Sequence, residues 1–136
     1  NYMITSETKI RVRYAETDQM GFVYYGRYAE YYEIGRVEAM RKLGLSYKEM
    51  EEKGILMPVI EYHIEYKKPA FYDDEIILIT TIKEIPKLKI TFHHECFNTK
   101  GELLNTGYVT LVFLNKETKK PILAPEWFLK ECQKYF

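Results

Sequence analysis

The sequence predicts an α+β domain of two layers, one long helix laid against a largely antiparallel sheet. Three observations carry that expectation. A single long stretch, residues 27–43, has helical spacing of its apolar positions. Four later stretches alternate with the period of strands and are joined by short turns, too short for the crossovers that parallel pairing needs. The chain has 136 residues, which fits one domain (1–136) able to bury roughly two-thirds of its unfolded surface.

The elements follow in order. "TKIRVRY" (8–14) alternates, with Ile10, Val12 and Tyr14 on one face and Lys9, Arg11 and Arg13 on the other: a half-buried strand. Gly21 and Gly26 punctuate the segment after it. At about 100° per residue, "RYAEYYEIGRVEAMRKL" (27–43) aligns Tyr28, Tyr32, Gly35, Ala39 and Leu43, flanked by Ala29 and Met40, with Arg27, Glu30, Glu38 and Arg41 turned away. Gly35 and Ala39 in that stripe predict a helix pressed closely on a sheet, and Gly44 ends it as a C′ glycine. "SYKEMEEKG" (46–54) reads as a short helix capped by Ser46 and stopped by Gly54. Strands are then expected at 59–66 (Ile60, Tyr62, Ile64 and Tyr66 on one face), 75–84, 87–97 (through Leu88, Ile90 and Phe92) and 107–115, with a turn at 98–102. Pro125 opens a closing helix.

Composition narrows the function. Basic and acidic residues balance at 20 each, so nothing advertises a nucleic-acid partner. No apolar run reaches the ~18 residues of a membrane span. "NYMITSETK" lacks the charged-then-apolar pattern of a signal peptide, Met3 is expected near the native start with the two residues before it extraneous, and the cytoplasm is the expected compartment. Cys96 and Cys132 are too few for a disulfide framework or a zinc cage and read as reduced structural thiols. The 13 tyrosines, amphipathic rings with a hydroxyl to satisfy, suit pockets, subunit interfaces or half-buried strand positions.

Few residues are left for chemistry. No phosphate-loop or dinucleotide glycine pattern occurs, nor a nucleophile elbow. His93 and His94 are neighbours in a strand and face opposite ways, while His63 is distant in sequence, so no metal site is expected. Asp18 stands out in "AETDQMGFVYYGRYAEYYE" (15–33): too early to cap the helix, it is either a turn residue or a carboxylate brought beside the helix's first free N–H groups. In the second case it serves as general base or nucleophile while those amides hold an oxyanion.

The stretch "RVRYAETDQMGFVYYGRYAEYYEIGR", with the later "PVIEYHIEYKKPAFYDDEIIL", resembles the 4-hydroxybenzoyl-CoA thioesterase family of the hot-dog superfamily, and the resemblance runs from about Thr8 to Phe128. It implies a long central helix wrapped by a curved, largely antiparallel sheet of five or six strands. It implies an acyl-CoA thioesterase with water as the only co-substrate and no metal or organic cofactor. Asp18 matches the family's catalytic aspartate, Tyr25 the position whose backbone N–H holds the thioester oxygen, and Gly21 the glycine of the tight turn. Tyr28 and Glu33 match the helix pattern, with Arg36 a candidate ion pair to Glu33. Many relatives carry His where this chain has Tyr25, and Ile or Val where it has Phe22; Phe22, Tyr24 and Tyr25 are therefore expected to shape the acyl pocket.

The resemblance also implies a homodimer, or a dimer of dimers, with the site between subunits. Tyr62 and His63 are then expected to approach a partner's aspartate, and Lys67, Lys68, Lys87 and Lys89 to meet the CoA phosphates. Two rivals share these features: a thioesterase acting on acyl-carrier protein, and a non-catalytic acyl-thioester binder. A hot-dog dehydratase would need a histidine on the helix, and residues 27–43 contain none.

Overall fold

The computed structural model describes residues 3–136; Asn1 and Tyr2, read above as extraneous, lie outside the described residues. Strand β1 runs Ile4–Arg11, four residues ahead of the expected start, because Ile4, Ser6, Thr8 and Ile10 continue the inward alternation backwards. The far end is correspondingly shorter. Val12 is buried, but Tyr14 belongs to a 3-10 turn (Tyr14–Glu16) and is 77% exposed rather than facing the core.

A second 3-10 turn, Tyr25–Arg27, leads directly into helix α1, Tyr28–Lys42. The expected stripe is buried: Tyr28, Tyr32, Gly35 and Ala39 within the helix, and Leu43 just beyond it. The flank differs, since Tyr31 and Arg36 are buried and Ala29 is exposed. Gly35 is where the helix meets the sheet. A Cβ there would collide with Thr80 Oγ1 and stand 2.7 Å from Leu78 Cδ2. Helix α2 (Tyr47–Glu52) is capped as expected, the Glu49 N–H donating to Ser46 Oγ at 3.1 Å.

The remaining elements are β2 (Ile55–Leu56), β3 (Val59–Tyr66), β4 (Glu75–Ile82), β5 (Lys89–Phe97), β6 (Leu103–Asn115), β7 (Pro121–Ile122) and α3 (Glu126–Gln133). All pairings are antiparallel, and the sheet has 7 strands where five or six were expected. The additions are the two-residue strands β2 and β7, which extend the β3 and β5 sides of β6 and are too short to show alternation. The larger correction is topological. Consecutive strands β3 and β4 do not pair: the order is β1-β4-β5-β6, with β3 on the far side of β6. Residues 67–74 span about 14 Å of sheet, three strand spacings, to make that jump. Strand β3 thus becomes an edge, which explains why most of its residues are exposed on both faces.

The core lies between α1 and the concave face of the sheet. Ile76, Leu78 and Ile82 of β4, Ile90 and Phe92 of β5, and Val109 and Leu111 of β6 fill it. Leu88, expected to start the β5 alternation, precedes the strand and is 56% exposed. Helix α3 closes the end of the core with Phe128 and Cys132. Both thiols are unpaired and buried, and burial pushes each up to about 12, the behaviour of inert structural cysteines.

Candidate functional site

The segment between β1 and α1 folds into a tight corner with Asp18 at its apex. The Asp18 N–H donates to the Phe22 carbonyl at 2.9 Å and the Gly21 N–H to the Asp18 carbonyl at 3.0 Å. Gly21 closes the corner with φ of 89°, a conformation costly for a residue bearing a Cβ. The Met20 N–H donates to Asp18 Oδ1 at 2.9 Å. Asp18 is therefore an Asx-turn residue through one oxygen, as one of the two sequence readings had it. The other oxygen, Oδ2, has no hydrogen-bond or ion-pair partner among the described residues, and the side chain borders a cavity.

The corner is anchored on both sides. Val23 N–H donates to the Ala70 carbonyl at 2.9 Å, tying it to the loop after β3. On the helix side a buried carboxylate, Glu16, receives the Arg13 N–H at 2.9 Å, the Arg13 guanidinium at 3.0 and 3.1 Å, and the Tyr31 hydroxyl at 2.7 Å. Burial pushes the Glu16 carboxyl up, but these donors more than offset it and hold it below the ordinary value. The Glu16 carbonyl in turn accepts the Tyr24 N–H at 2.9 Å, so one residue fastens the corner to the helix entry.

At that entry, Tyr24 supplies no side-chain cap. The N–H groups of Tyr25 and Gly26 meet no acceptor among the described residues. Free N–H groups at the start of a helix are a site for negative charge or a polarised carbonyl. The Tyr25 carbonyl, by contrast, accepts both the Tyr28 N–H and the Tyr66 hydroxyl, the latter at 2.9 Å.

Asp18 and Tyr25 line the same cavity, of about 330 Å³. Phe22, Lys67 and Lys68, three other residues singled out from the sequence, line it too. Tyr28, Met20, Val23, Tyr66 and Pro69 complete a mostly apolar wall. Burial raises the Tyr28 and Tyr66 hydroxyls above the ordinary phenol, so both are neutral donors. Lys68 is paired with Glu102, while Lys67 has no carboxylate partner among the described residues.

Other candidates lie elsewhere in the single chain. Gly21 acts through the turn, and Tyr24 packs on Tyr25 with ring centroids 4.5 Å apart, outside the cavity lining. Tyr62 and His63 face opposite sides of β3: Tyr62 approaches Tyr32 at 6.0 Å, and His63 stacks on Tyr108 at 5.3 Å. Lys87 and Lys89 line a separate depression beside Leu88. The expected Glu33–Arg36 pair is not formed. Arg36 is buried and its Nε donates to the Tyr47 hydroxyl at 3.4 Å, while Glu33 stays exposed, because Tyr47 at the start of α2 reaches Arg36.

His93 and His94 face opposite ways as neighbours in a strand do, but His63, distant in sequence, is brought to the outer face beside His93, the two flanking Tyr108. His93 lies on the outer face near Tyr108, and His94 is buried against Tyr32, its Nδ1 3.0 Å from Thr80 Oγ1. Burial drives His94 down to about 3, so it is neutral. No cluster of metal-ligating side chains occurs among the described residues. No helix there is long and apolar enough to cross a membrane. Glu16 and Tyr66 are the residues sequence reasoning missed. Glu16 carried one signal, its i+3 spacing from Arg13; Tyr66 carried none that separated it from the other tyrosines.

Comparison with known proteins identifies the family. The model of a family described as the thioesterase-like superfamily matches residues 12–132. The chain is 38% identical over 129 residues to YneP of Bacillus subtilis (strain 168), provisionally named an acyl-CoA thioesterase, covering 92% of this chain and 94% of that one. A crystal structure of the DHNA-CoA thioesterase of Staphylococcus aureus is 39% identical, with a TM-score of 0.88 over 96% of this chain and 89% of its own. An Asp-to-Asn variant of 4-hydroxybenzoyl-CoA thioesterase, solved with 4-hydroxybenzoyl-CoA, shares the fold at 21% identity and a TM-score of 0.85, covering 95% of this chain and 99% of its own.

Proposed function

The chain belongs to the thioesterase-like superfamily, and on that premise we propose that it hydrolyses an acyl-CoA to a carboxylic acid and free CoA at the Asp18 cavity. The observation that carries the reading is a complementary pair of unmet groups. Asp18, with a carboxylate oxygen left without a partner, and Tyr25, with a free backbone N–H, both line one aromatic-walled cavity.

The thioester oxygen accepts from the Tyr25 N–H, and negative charge developing on that oxygen is held there at no cost of reorganisation. As general base, Asp18 takes a proton from water as the water oxygen bonds to the carbonyl carbon; the C–S bond then breaks and the thiolate is protonated. As nucleophile, Asp18 bonds to the carbonyl carbon itself, the thiolate leaves, and water hydrolyses the resulting anhydride. Phe22, Tyr25, Tyr28 and Tyr66 offer ring faces and edges to the acyl group. Lys67 and Lys68 border the same cavity and supply point charges for the CoA phosphates.

A second copy of the chain belongs to this reading. Strand β3 is a sheet edge carrying exposed Val59, Ile60, Tyr62 and Tyr66, an arrangement left open for association in a monomer. On this reading Tyr62, His63, Lys87 and Lys89, none of which lines the cavity of its own chain, meet it from a second copy.

The test is free-thiol release from acetyl-, octanoyl- and benzoyl-CoA by wild type and Asp18→Asn. Turnover by wild type that falls at least about a hundredfold in the variant is the expected result. No turnover on any of them turns the reading toward carrier-protein thioesters or a binding module, and equal turnover by both proteins removes Asp18 from the mechanism. A single turnover in H₂¹⁸O tests the nucleophilic role: label on Asp18 requires an anhydride opened by water at the aspartyl carbonyl, which the general-base route does not form.

A further inference from the structure

The Tyr66 hydroxyl donates to the Tyr25 carbonyl at 2.9 Å, across 41 residues of sequence. That carbonyl already accepts the Tyr28 N–H, so the acceptor end of the Tyr25–Gly26 peptide is doubly held while its Gly26 N–H and the preceding Tyr25 N–H stay free. We propose that Tyr66 is a positioning residue for the oxyanion site, fixing the direction of the helix-start turn that presents the Tyr25 N–H and strengthening the adjacent Gly26 N–H as a second donor. The inference rests on the acyl-thioester reading of the cavity.

Three physical points support it. First, a peptide whose carbonyl accepts hydrogen bonds is polarised along its length, and its N–H becomes a stronger donor. Second, Tyr25 opens a 3-10 turn that has no side-chain cap, so its first N–H groups stay open to a ligand while the phenol holds the carbonyl side of the same turn. Third, the Tyr66 ring is confined edge-on between Tyr25 at 6.4 Å and Tyr28 at 5.9 Å, which limits the motion of its hydroxyl. Tyr66 is the last residue of edge strand β3, so the oxyanion site is tied to the part of the sheet most open to association.

The experiment uses Tyr66→Phe, which keeps the ring and removes only the donor, with Tyr108→Phe as control; the Tyr108 hydroxyl donates to Glu61 at 2.8 Å on the far face of the sheet. With the fastest substrate of acetyl-, octanoyl- and benzoyl-CoA, Tyr66→Phe is expected to lower kcat about tenfold at unchanged KM and Tm, less than direct loss of an oxyanion donor. Tyr108→Phe is expected to leave all three unchanged. The same substrate, ¹³C-labelled at the thioester carbonyl and bound to Asp18→Asn, is expected to show a carbonyl stretch lowered from its solution value, and the lowering to shrink when Tyr66→Phe is added. A lowered stretch that Tyr66→Phe leaves unaltered, or a loss confined to KM, overturns the role of Tyr66 and spares the oxyanion site. Absence of any lowering in Asp18→Asn, or no turnover by wild type, overturns the oxyanion reading and Tyr66 with it.

Discussion

Glu16 and Asp18 are close neighbours in sequence with opposite surroundings: the first surrounded by donors, the second left with a free oxygen. Their difference sets a pH-dependent prediction. The Glu16 carboxyl is held below its ordinary value of 4.5, so its contribution to stability is complete above that value and is lost as pH falls through the folded-state value. Glu16→Gln is expected to cost about 1.5–3 kcal/mol near neutral pH, with the gap to wild type narrowing below pH ~4. Urea unfolding across that range measures it, and a gap independent of pH would mean the charge contributes nothing. Asp18 was legible because a carboxylate ahead of a glycine and an apolar run fits no ordinary cap. Glu16 was not, because Arg13 and Glu16 read as a surface pair until Tyr31 is known to fold over them.

At the scale of elements, α1 was readable almost to the residue, since its stripe of Tyr28, Tyr32, Gly35 and Ala39 recurs at helical spacing over 15 residues, long enough to average out exceptions. Gly35 in its stripe correctly announced a close approach. Alanine there gains helix propensity of about 1 kcal/mol yet must push a Cβ into Thr80 and Leu78. Gly35→Ala is therefore expected to destabilise by about 1–3 kcal/mol, measured as a lower Tm. An unchanged or higher Tm would show that the sheet yields at this point. The strand ends were less readable. Ser6 is a short polar residue that alternation rules pass over, and β2 and β7 have too few residues to carry a period.

For the whole molecule, the edge position of β3 is the feature with the widest consequence. Its exposed Val59, Ile60, Tyr62 and Tyr66 lie on the strand that also holds the Tyr25 carbonyl. Analytical ultracentrifugation is expected to find a dimer or tetramer, and Ile60→Lys to shift it toward monomer with at least about a tenfold loss of thiol release. A wild-type monomer with full activity would sink the intersubunit site.

The sequence alone determined the α+β class, the long helix with its glycine contact, and the tight corner carrying Asp18, because period, turn residues and the steric demand of a glycine are local properties. Tertiary structure alone decided that β3 leaves β4 to pair with β6 and that Arg36 turns to Tyr47 instead of Glu33. It alone singled out Tyr66, among 13 tyrosines, as the donor to the Tyr25 carbonyl. Each of these depends on which distant segments the chain brings together, and local alternation carries no record of the partner across a sheet.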